Sequence, residues 1–598
     1  MANVSLKKVT VVGLMSEKEK LVKSLQSFGS IHVIPLTESE KQLNERPEDY
    51  LEALRYLIMC PEHKTPLSTW EDSNPDDIVR RALDIKYEEK KVRNQRDKAK
   101  KYMRKIEGWG FFDFPEVDEI ADYKFYFYKV PHYRRKALEK VPDLVYQEVY
   151  RSSLNTYIVV ISKGSPDHAQ IPGKRVPFKN NMSMKQASRH YEELCIKLED
   201  LETARRRLTR YIHLLLQNLD HEEDEAIYNY QMDRTFDEDC YFIMQGWVPS
   251  DQVEDVVDLL DDYKDTAALY VDDPAPDDEP PTLFKNSKAF EPGEDLVAFY
   301  QMPSYKGWDP SLITYLSFAF FYAVIMSDAG YAMVQLVIMG LVWGKLGGSP
   351  TTKRVRKLGV LLSVTSVIYG IAVGSYFGMA PPAGTLLEKL NVLDSSNSDY
   401  MMLLSVTVGV IHIMIANLIL AWHNRDSLFA LSYLGWTSIL GGAIGLGHFG
   451  TDSVECKYAM IGGALAVLLF SSRRPFNSVK DILMRVIDGL LGLTNVSKAF
   501  GDALSYLRLF ALGLTSASLA MMFNTLAAQA SEGMPGIGVV FAALILLFGH
   551  GLNFVLAIIG GVVHGLRLNL IEFFSWGVTE EGYLFKPFRL KEKKIWIH

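Results

Sequence analysis

A chain of 598 residues with 48% apolar content, a formal net charge of −8 and a mean hydropathy of +0.01 is neither an ordinary soluble enzyme nor a plain membrane channel. The mild net charge offers no broad basic field, which sets nucleic-acid binding aside. The average conceals two halves: to about residue 300 the chain is dense in Lys, Arg, Asp and Glu, and from Leu312 it runs through apolar stretches of roughly 20 residues, enough to cross a bilayer.

The four cysteines, Cys60, Cys195, Cys240 and Cys456, are scattered singly, without the paired spacing of a zinc site or a disulfide framework. The opening MANVSLKKVTVVGLM has an apolar run too short for a secretory signal and no small-residue cleavage site, so the charged half is expected to stay in a reducing cytoplasm. There KKVTVVGLM reads as a strand, SEKEKLVKSLQSFG as an amphipathic helix closed by a glycine, and SIHVIPL as a second strand. YKFYFYKV, the helical HYRRKALEKV, DLVYQEVYR and NTYIVVISK repeat that α/β flavour. Lobes are predicted at about 1–40 and at about 108–180 plus 232–300, the second extending through the GWVP segment. Two charged helical stretches, about 76–107 and 183–231, complete this half. In the second, Leu194, Leu198, Leu201, Arg205, Leu208, Ile212 and Leu215 follow the four-three spacing of a coiled-coil seam with one arginine intruding. The stretches pair as an antiparallel hairpin, or else run as long solvated helices beside a globular core.

The nearest approach to a phosphate-binding loop is GLVWGKL, around Gly340 to Lys345. It fails, because only three residues separate the glycines and Leu346 stands where a magnesium-holding hydroxyl is needed. Cys60-Pro-Glu-His63 supplies two metal ligands without a second pair. No catalytic residue, cofactor or metal is expected.

Apolar segments run at about 312–326, 328–346, 356–379, 400–422, 427–449, 457–472, 482–530 and 536–573, the last two long enough to tilt. The first two together are shorter than two full spans, so one long helix competes with two. Loop charge arbitrates, because cytoplasmic loops accumulate Lys and Arg. KLGGSPTTKRVRK, RRPFNSVK and the tail RLKEKK are basic, whereas the loops near 380–399 (Glu388, Asp394, Asp399), 450–456 (Asp452, Glu455) and 530–535 (Glu532) lean acidic. Two crossings before Lys345 keep the charged half inside. The expected architecture is an α+β cytoplasmic half (1–308) with α/β lobes and a long helical hairpin. An all-α membrane half (309–598) of about eight transmembrane helices follows, both termini cytoplasmic.

An ionisable group inside a span is costly unless paired or wet, so such groups are the functional candidates. Ser505, Arg508, Leu512, Thr515 and Leu519 recur at helical spacing, and His550, Asn553, Ala557, Gly560, His564 and Arg567 form one stripe on the final helix. A stripe of this kind lines an aqueous pathway; alternatively, Asp502 neutralises Arg508 and Glu572 neutralises Arg567, merely locking helix packing. Arginine stays protonated, so its natural task is to hold a carboxylate in its charged form.

Several segments together carry a resemblance. They are Gly246-Trp247-Val248-Pro249, PPTLFKN, Pro303-Ser304-Tyr305 with Asp309-Pro310, SDAGYA around Asp328, SYLRLFALGL around Arg508, HGLRLNLIEFF around Arg567, Gly582-Tyr583 and Phe585-Lys586-Pro587-Phe588. In this order the chain resembles the membrane stator subunit of rotary vacuolar-type and archaeal-type ATPases, called subunit a or subunit I. The resemblance runs from the first α/β unit to the tail. It implies a non-catalytic subunit that supplies two aqueous half-channels beside a proteolipid ring and couples ring rotation to H+ or Na+ movement.

On this reading Arg508 and Arg567 face the passing ring carboxylate, lower its pKa and block a leak. Ser505, Asn553, His564 and Glu572 are counted with them as expected ion-translocation residues. Ser516 and Ala557 stand where some relatives carry a histidine and a glutamate, so proton-relay details of those relatives do not transfer. Asp328, beside a glycine typical of a turn, is either a helix-junction cap or a channel residue, His412 either packs or functions, and Ser516 is counted with them as a channel or helix-junction candidate. The implied partners are the proteolipid c-ring, peripheral-stalk subunits of the E/G type, the central-stalk-associated and ATP-hydrolysing A/B subunits, and the lipid bilayer. The implied location is a prokaryotic plasma membrane. A secondary transporter with a cytoplasmic regulatory domain is the alternative, which broken half-helices or inverted repeats would favour.

Overall fold

The computed structural model describes residues 3–37, 46–66, 74–110, 123–142, 144–164, 171–176, 182–393, 397–474, 478–534 and 536–590. Asp394, the centre of the RRPFNSVK loop (475–477) and the tail from Lys591 lie outside them. In chain order come β1 (Leu6–Leu14), α1 (Lys18–Phe28), β2 (His32–Ile34), α2 (Arg46–Ile58), α3 (Pro75–Ile106), β3 (Lys124–Pro131), β4 (Tyr146–Arg151), β5 (Asn155–Ser162) and β6 (Lys174–Arg175). Next are α4 (Met184–Leu208), α5 (Ile212–Met232), β7 (Phe236–Asp237), β8 (Tyr241–Pro249), α6 (Val253–Asp261) and β9 (Ala267–Asp272).

The chain forms two compact units, one of Met1–Leu14, Ser30–Ile34 and Ile243–Pro587, the other of Met15–Gly29, Pro35–Phe242 and the residues after Pro587. In the first, a sheet runs in the order β2-β8-β1-β9, with β1 antiparallel to β9 (Val9 opposite Val271) and β2 antiparallel to β8 (Val33 opposite Gly246). Val9 and Val11 of β1 are buried at a spacing of two, as a strand with one covered face requires. The GWVP strand was expected in the second lobe and instead lies between β2 and β1 in the first. Its run of buried residues, Gly246 through Pro249, belongs to a strand covered on both faces, and β2 and β1 flank it. At Gly246 a Cβ would come within 2.4 Å of Ile31 and 2.9 Å of the His32 carbonyl, so only glycine lets β2 approach.

The second unit carries a sheet in the order β4-β5-β3-β6, with Tyr128, Val130, Ile158 and Val160 buried around Leu138. HYRRKALEKV is a 3-10 helix, His132–Lys140, rather than an α-helix, and Leu138 is its single buried residue. In the same unit α3 and α4 run antiparallel. Val92 packs with Leu194 and Leu198, Lys197 pairs with Glu88 at 2.6 Å, and the Tyr102 hydroxyl donates to Met182 O at 3.2 Å. Asn74 caps α3 ahead of Pro75, and Ser183 with Gln186 forms a capping box on α4. The seam is interrupted by a 3-10 turn at Thr209–Tyr211, after which Leu214, Leu215 and Leu219 pack on Leu54, Leu57, Ile78 and Ala82.

In the first unit the later elements are α7 (Glu291–Tyr300), α8 (Ser311–Met326), α9 (Ala329–Leu341), α10 (Pro350–Val373), α11 (Leu386–Lys389), α12 (Ser398–His423), α13 (Ala430–Phe449) and α14 (Val454–Phe470). They are followed by α15 (Val479–Thr494), α16 (Val496–Ser505), α17 (Leu507–Gly533), α18 (Gly538–Arg567), a π-helical turn at Leu568–Phe573, and α19 (Phe574–Gly577). Four segments are long and apolar enough to cross a membrane, Pro350–Val373, Ser398–His423, Lys480–Gly533 and Gly538–Gly577, with Ser311–Met326 and Ala329–Leu341 as shorter apolar helices. Length and composition therefore give four candidate spans among the described residues where eight were expected.

The break between α8 and α9 is sharp. Ser327 sits in the left-handed region at φ 49°, and Asp328 caps α9 by accepting from Tyr331 N. Gly330, read as a turn glycine, is helical; its lack of a side chain is needed because a Cβ would lie 2.6 Å from the Phe377 ring.

Candidate functional site

α17 and α18 pack antiparallel, with Ser516 opposite Asn553 and Asn524 opposite His550. Antiparallel packing brings the start of one to the end of the other, and with it Arg508 to the segment after Arg567. In an α-helix five residues advance about 500°, which would leave Glu572 about 140° round from Arg567. The π-turn, with its i→i+5 bonding, brings that fifth residue back over its start. Glu572 Oε1 consequently lies 3.9 Å from Arg567 Nε and 4.0 Å from Arg508 Nη1.

The Glu572 side chain is 4% exposed, against 25% for Arg508 and 50% for Arg567. At these separations the groups attract as charges without direct hydrogen bonds. Among the described residues, Arg508 Nη1, Glu572 Oε2 and the neighbouring His564 Nδ1 are all buried without a hydrogen-bond partner. No second acid lies within 4 Å of either arginine among the described residues. Two guanidinium charges therefore share one carboxylate, and the site holds an excess positive charge with unused hydrogen-bonding capacity.

His412 of α12 joins this cluster. Its ring stacks on Phe573 at 4.2 Å and 9°, its Nδ1 lies 2.9 Å from the Tyr506 hydroxyl, and its Nε2 is buried with no partner among the described residues. Asp502 does not neutralise Arg508: its Oδ2 accepts from Trp576 Nε1 at 2.7 Å. Ser505 turns its hydroxyl back to Gly501 O.

The polar stripe on α18 is divided. Fourteen residues before Arg567, about 21 Å along the helix axis, Asn553 donates to Ser516 O at 2.8 Å and to the Tyr331 hydroxyl at 3.1 Å. Tyr331 also meets His550 Nδ1 at 2.7 Å, and His550 Nε2 meets Asn524 Oδ1 at 2.9 Å. Asp328 belongs to the edge of this network as a junction cap. Its carboxylate accepts from Tyr331 N, Phe377 N, Gly378 N and the Ser375 hydroxyl at 2.7–3.1 Å. Tyr331, Asn524, Tyr506 and Phe573 were not singled out by sequence. Tyr506 and Phe573 lie within the two arginine motifs, but tyrosine and phenylalanine in an apolar run carry no distinguishing signal.

A third cluster gathers the short motifs far apart in sequence. Thr282 N donates to Tyr583 O, Phe585 N donates to Thr282 O, and Thr282 Oγ1 donates to Pro303 O. Gly582 N donates to Met302 O, the Tyr305 hydroxyl accepts from Leu6 N, and Lys586 N donates to His32 Nδ1. Leu6, Trp247 and Phe585 are buried together. The segments after the last helix are thus bonded to the strands of the first sheet. Burial, and secondly the Lys586 charge, hold the His32 pKa below its ordinary value.

Residues 168–345 match the family described as V-type ATPase 116kDa subunit family. An A-type ATP synthase subunit I of Methanocaldococcus jannaschii is 29% identical over 59% of this chain and 55% of its own length. A V-type ATP synthase subunit I of Borreliella burgdorferi is 25% identical over 99% of this chain and 100% of its own. The chain is thus similar to subunit I of V-type and A-type ATP synthases. The similarity spans nearly the whole chain in the Borreliella comparison, and the chain spans about half the length of the Methanocaldococcus relative. The chain is similar also to the structure of the cytoplasmic N-terminal domain of subunit I, homolog of subunit a, of V-ATPase. That likeness is at 14% identity and a TM-score of 0.22, over 44% of this chain and 99% of that one.

Proposed function

We propose that the chain is the non-catalytic stator and ion-pathway subunit of a rotary V/A-type ATPase. In this reading it supplies two aqueous half-channels beside a ring of proteolipids and anchors peripheral stalks through its charged half, which faces the cytoplasm. The observation that carries it is the pair of arginines sharing Glu572, with Arg508 Nη1 and His564 Nδ1 left unpartnered. A second carboxylate, brought on a moving ring, is the complement of that excess charge. Held beside two guanidinium groups it stays ionised, so its ion departs before the site moves on. The same fixed positive charge opposes a cation passing straight between compartments.

The transporter alternative fares worse at the broken helix. An anion-binding half-helix needs a free N-terminus, and the N-terminus of α9 is filled by Asp328 of the chain itself.

The test replaces Arg508 and Arg567 separately by Leu in the assembled complex and follows ATP-driven ion uptake and ATP hydrolysis in vesicles. The expected result is lost uptake with assembly retained. Normal coupled uptake in both variants overturns the reading.

A further inference from the structure

The π-turn that brings Glu572 over Arg567 is an uncommon conformation, and its surroundings fix it from several sides. Trp576, one turn beyond, donates its indole N–H to Asp502 Oδ2 at 2.7 Å. Its ring packs edge-on against Trp436 at 5.3 Å, with Lys498 Nζ 5.1 Å from its centre and bonded to Ser575 O. On the other side Trp308 Nε1 donates to Gly577 O at 2.7 Å, and the Ser317 hydroxyl donates to Asn569. Asp502 lies on α16, whose end leads through Tyr506 directly into Arg508. The Asp502–Trp576 bond therefore links α16, which leads into Arg508, to α19, which follows directly on the turn that presents Glu572.

We propose that Asp502 is a positioning residue: by accepting the Trp576 indole hydrogen it sets the distance between Arg508 and Glu572, and it does so as an acceptor, not as a titrating relay. This rests on the ion-pathway reading above. Its physical content is that one charge-assisted hydrogen bond spans the two sides of the site. Without it the end of α18 relaxes toward an ordinary α-helix, which carries the Glu572 carboxylate away from Arg567.

The chemistry of asparagine separates positioning from relay. Asp502→Asn keeps a carbonyl acceptor for the indole and removes the titratable charge, whereas Asp502→Leu removes both. In vesicles holding the assembled complex, ion uptake per ATP hydrolysed is expected to stay near the parent value in the Asn variant. It is expected to fall about tenfold or more in the Leu variant, the scale of one lost bond to a charged group. Trp576→Phe, which keeps a ring against Trp436 and Lys498 but has no N–H, is expected to match the Leu variant. Asp502→Leu combined with Trp576→Phe is expected to be no worse than either alone. An Asn variant as inactive as the Leu variant overturns the proposal in favour of a relay, and a Leu variant with normal coupling overturns it outright. If Asp502→Leu does not assemble, Trp576→Phe decides alone, normal coupling counting against the proposal. Arg508→Leu in the same vesicles keeps the two readings apart: lost uptake there with normal Asp502→Leu coupling removes only the positioning role, and normal uptake in Arg508→Leu removes the reading beneath it.

Discussion

Lys586 donates its backbone N–H to His32 Nδ1 at 2.9 Å, so the segment after the last helix is tied to the edge strand of the first sheet. The His32 ring also lies 5.7 Å from Tyr583 and 5.6 Å from Phe585. An imidazole nitrogen that accepts a hydrogen bond cannot also carry a proton. Burial first and the Lys586 charge second lower the His32 pKa, so the folded chain binds this proton less readily than the unfolded one. The stability tied to the contact is therefore complete above pH 6.5, the ordinary histidine value, and is lost as pH falls below it.

Hydrogen exchange of the Lys586 amide is expected to quicken as pH is lowered from 7.5 to 5 after correction for intrinsic exchange. A His32→Gln variant, which keeps an acceptor and does not titrate, is expected to flatten that dependence. Unchanged protection across the range in the parent chain would count against the tie.

Glu572 is the one carboxylate within 4 Å of both arginines among the described residues. Glu572→Gln keeps the side chain's size and leaves both guanidinium groups without a counter-charge. Removing one partner of a buried pair costs about 3–5 kcal/mol, and the partial exposure of both arginines brings the expectation down to about 1–3 kcal/mol. The double variant Glu572→Gln with Arg567→Gln is expected to recover part of that loss, because it removes one of the two facing positive charges. Thermal unfolding of the detergent-solubilised complex reads both. A double variant less stable than the single would show that the charges are not coupled.

The arginines were legible in sequence because a fixed charge inside an apolar run is conspicuous whatever surrounds it. Glu572 was legible only as an acid nearby, since its position depends on a π-turn and five-residue spacing in an α-helix points it elsewhere. Proximity in sequence offers Asp502 as Arg508's neutraliser only in the alternative packing reading, and the structure gives it to Trp576, which lies far along the chain. The GWVP strand failed similarly: its buried pattern announces a central strand, but which sheet supplies its neighbours is a non-local choice. At the α8–α9 break the glycine drew attention, and the left-handed residue is Ser327. Gly330 and Gly370 serve close approach there rather than turn geometry.

Gly370 and Gly340 provide a direct comparison of those two uses. At Gly370 a Cβ would lie 2.3 Å from Ala329 N and 2.7 Å from Asp328 C, both backbone atoms that no rotamer change can move aside. Gly340, in α9, has open space around it. Gly370→Ala is expected to displace α10 from the Asp328 junction and lower stability by about 2 kcal/mol or more. Gly340→Ala is expected to leave it unchanged or raise it by up to about 1 kcal/mol, since alanine is the better helix former. Thermal unfolding of the two variants side by side checks this. Equal effects would mean that the close approach at Gly370 does not hold the junction.

Arg205 shows why a polar residue occupies a seam position that pattern alone would give to leucine. Its guanidinium lies 4.1 Å from the centre of the Tyr56 ring and donates twice to Tyr56 O, at 2.5 and 3.2 Å. The Tyr56 hydroxyl in turn donates to Glu89 at 2.6 Å, so one tyrosine ties α2 to both long helices of the second unit. Arg205→Leu restores an apolar seam but leaves the Tyr56 carbonyl without these donors and the ring without its cation. The expected net effect is a loss of about 1–3 kcal/mol, against the gain that a coiled-coil pattern would assign to a buried leucine. Hydrogen exchange in α2, where Tyr56 resides, is expected to increase in the full chain while the Val92–Leu194–Leu198 core of the hairpin keeps its protection. A leucine variant with slower exchange throughout would return the position to the ordinary seam and remove the role given to Tyr56.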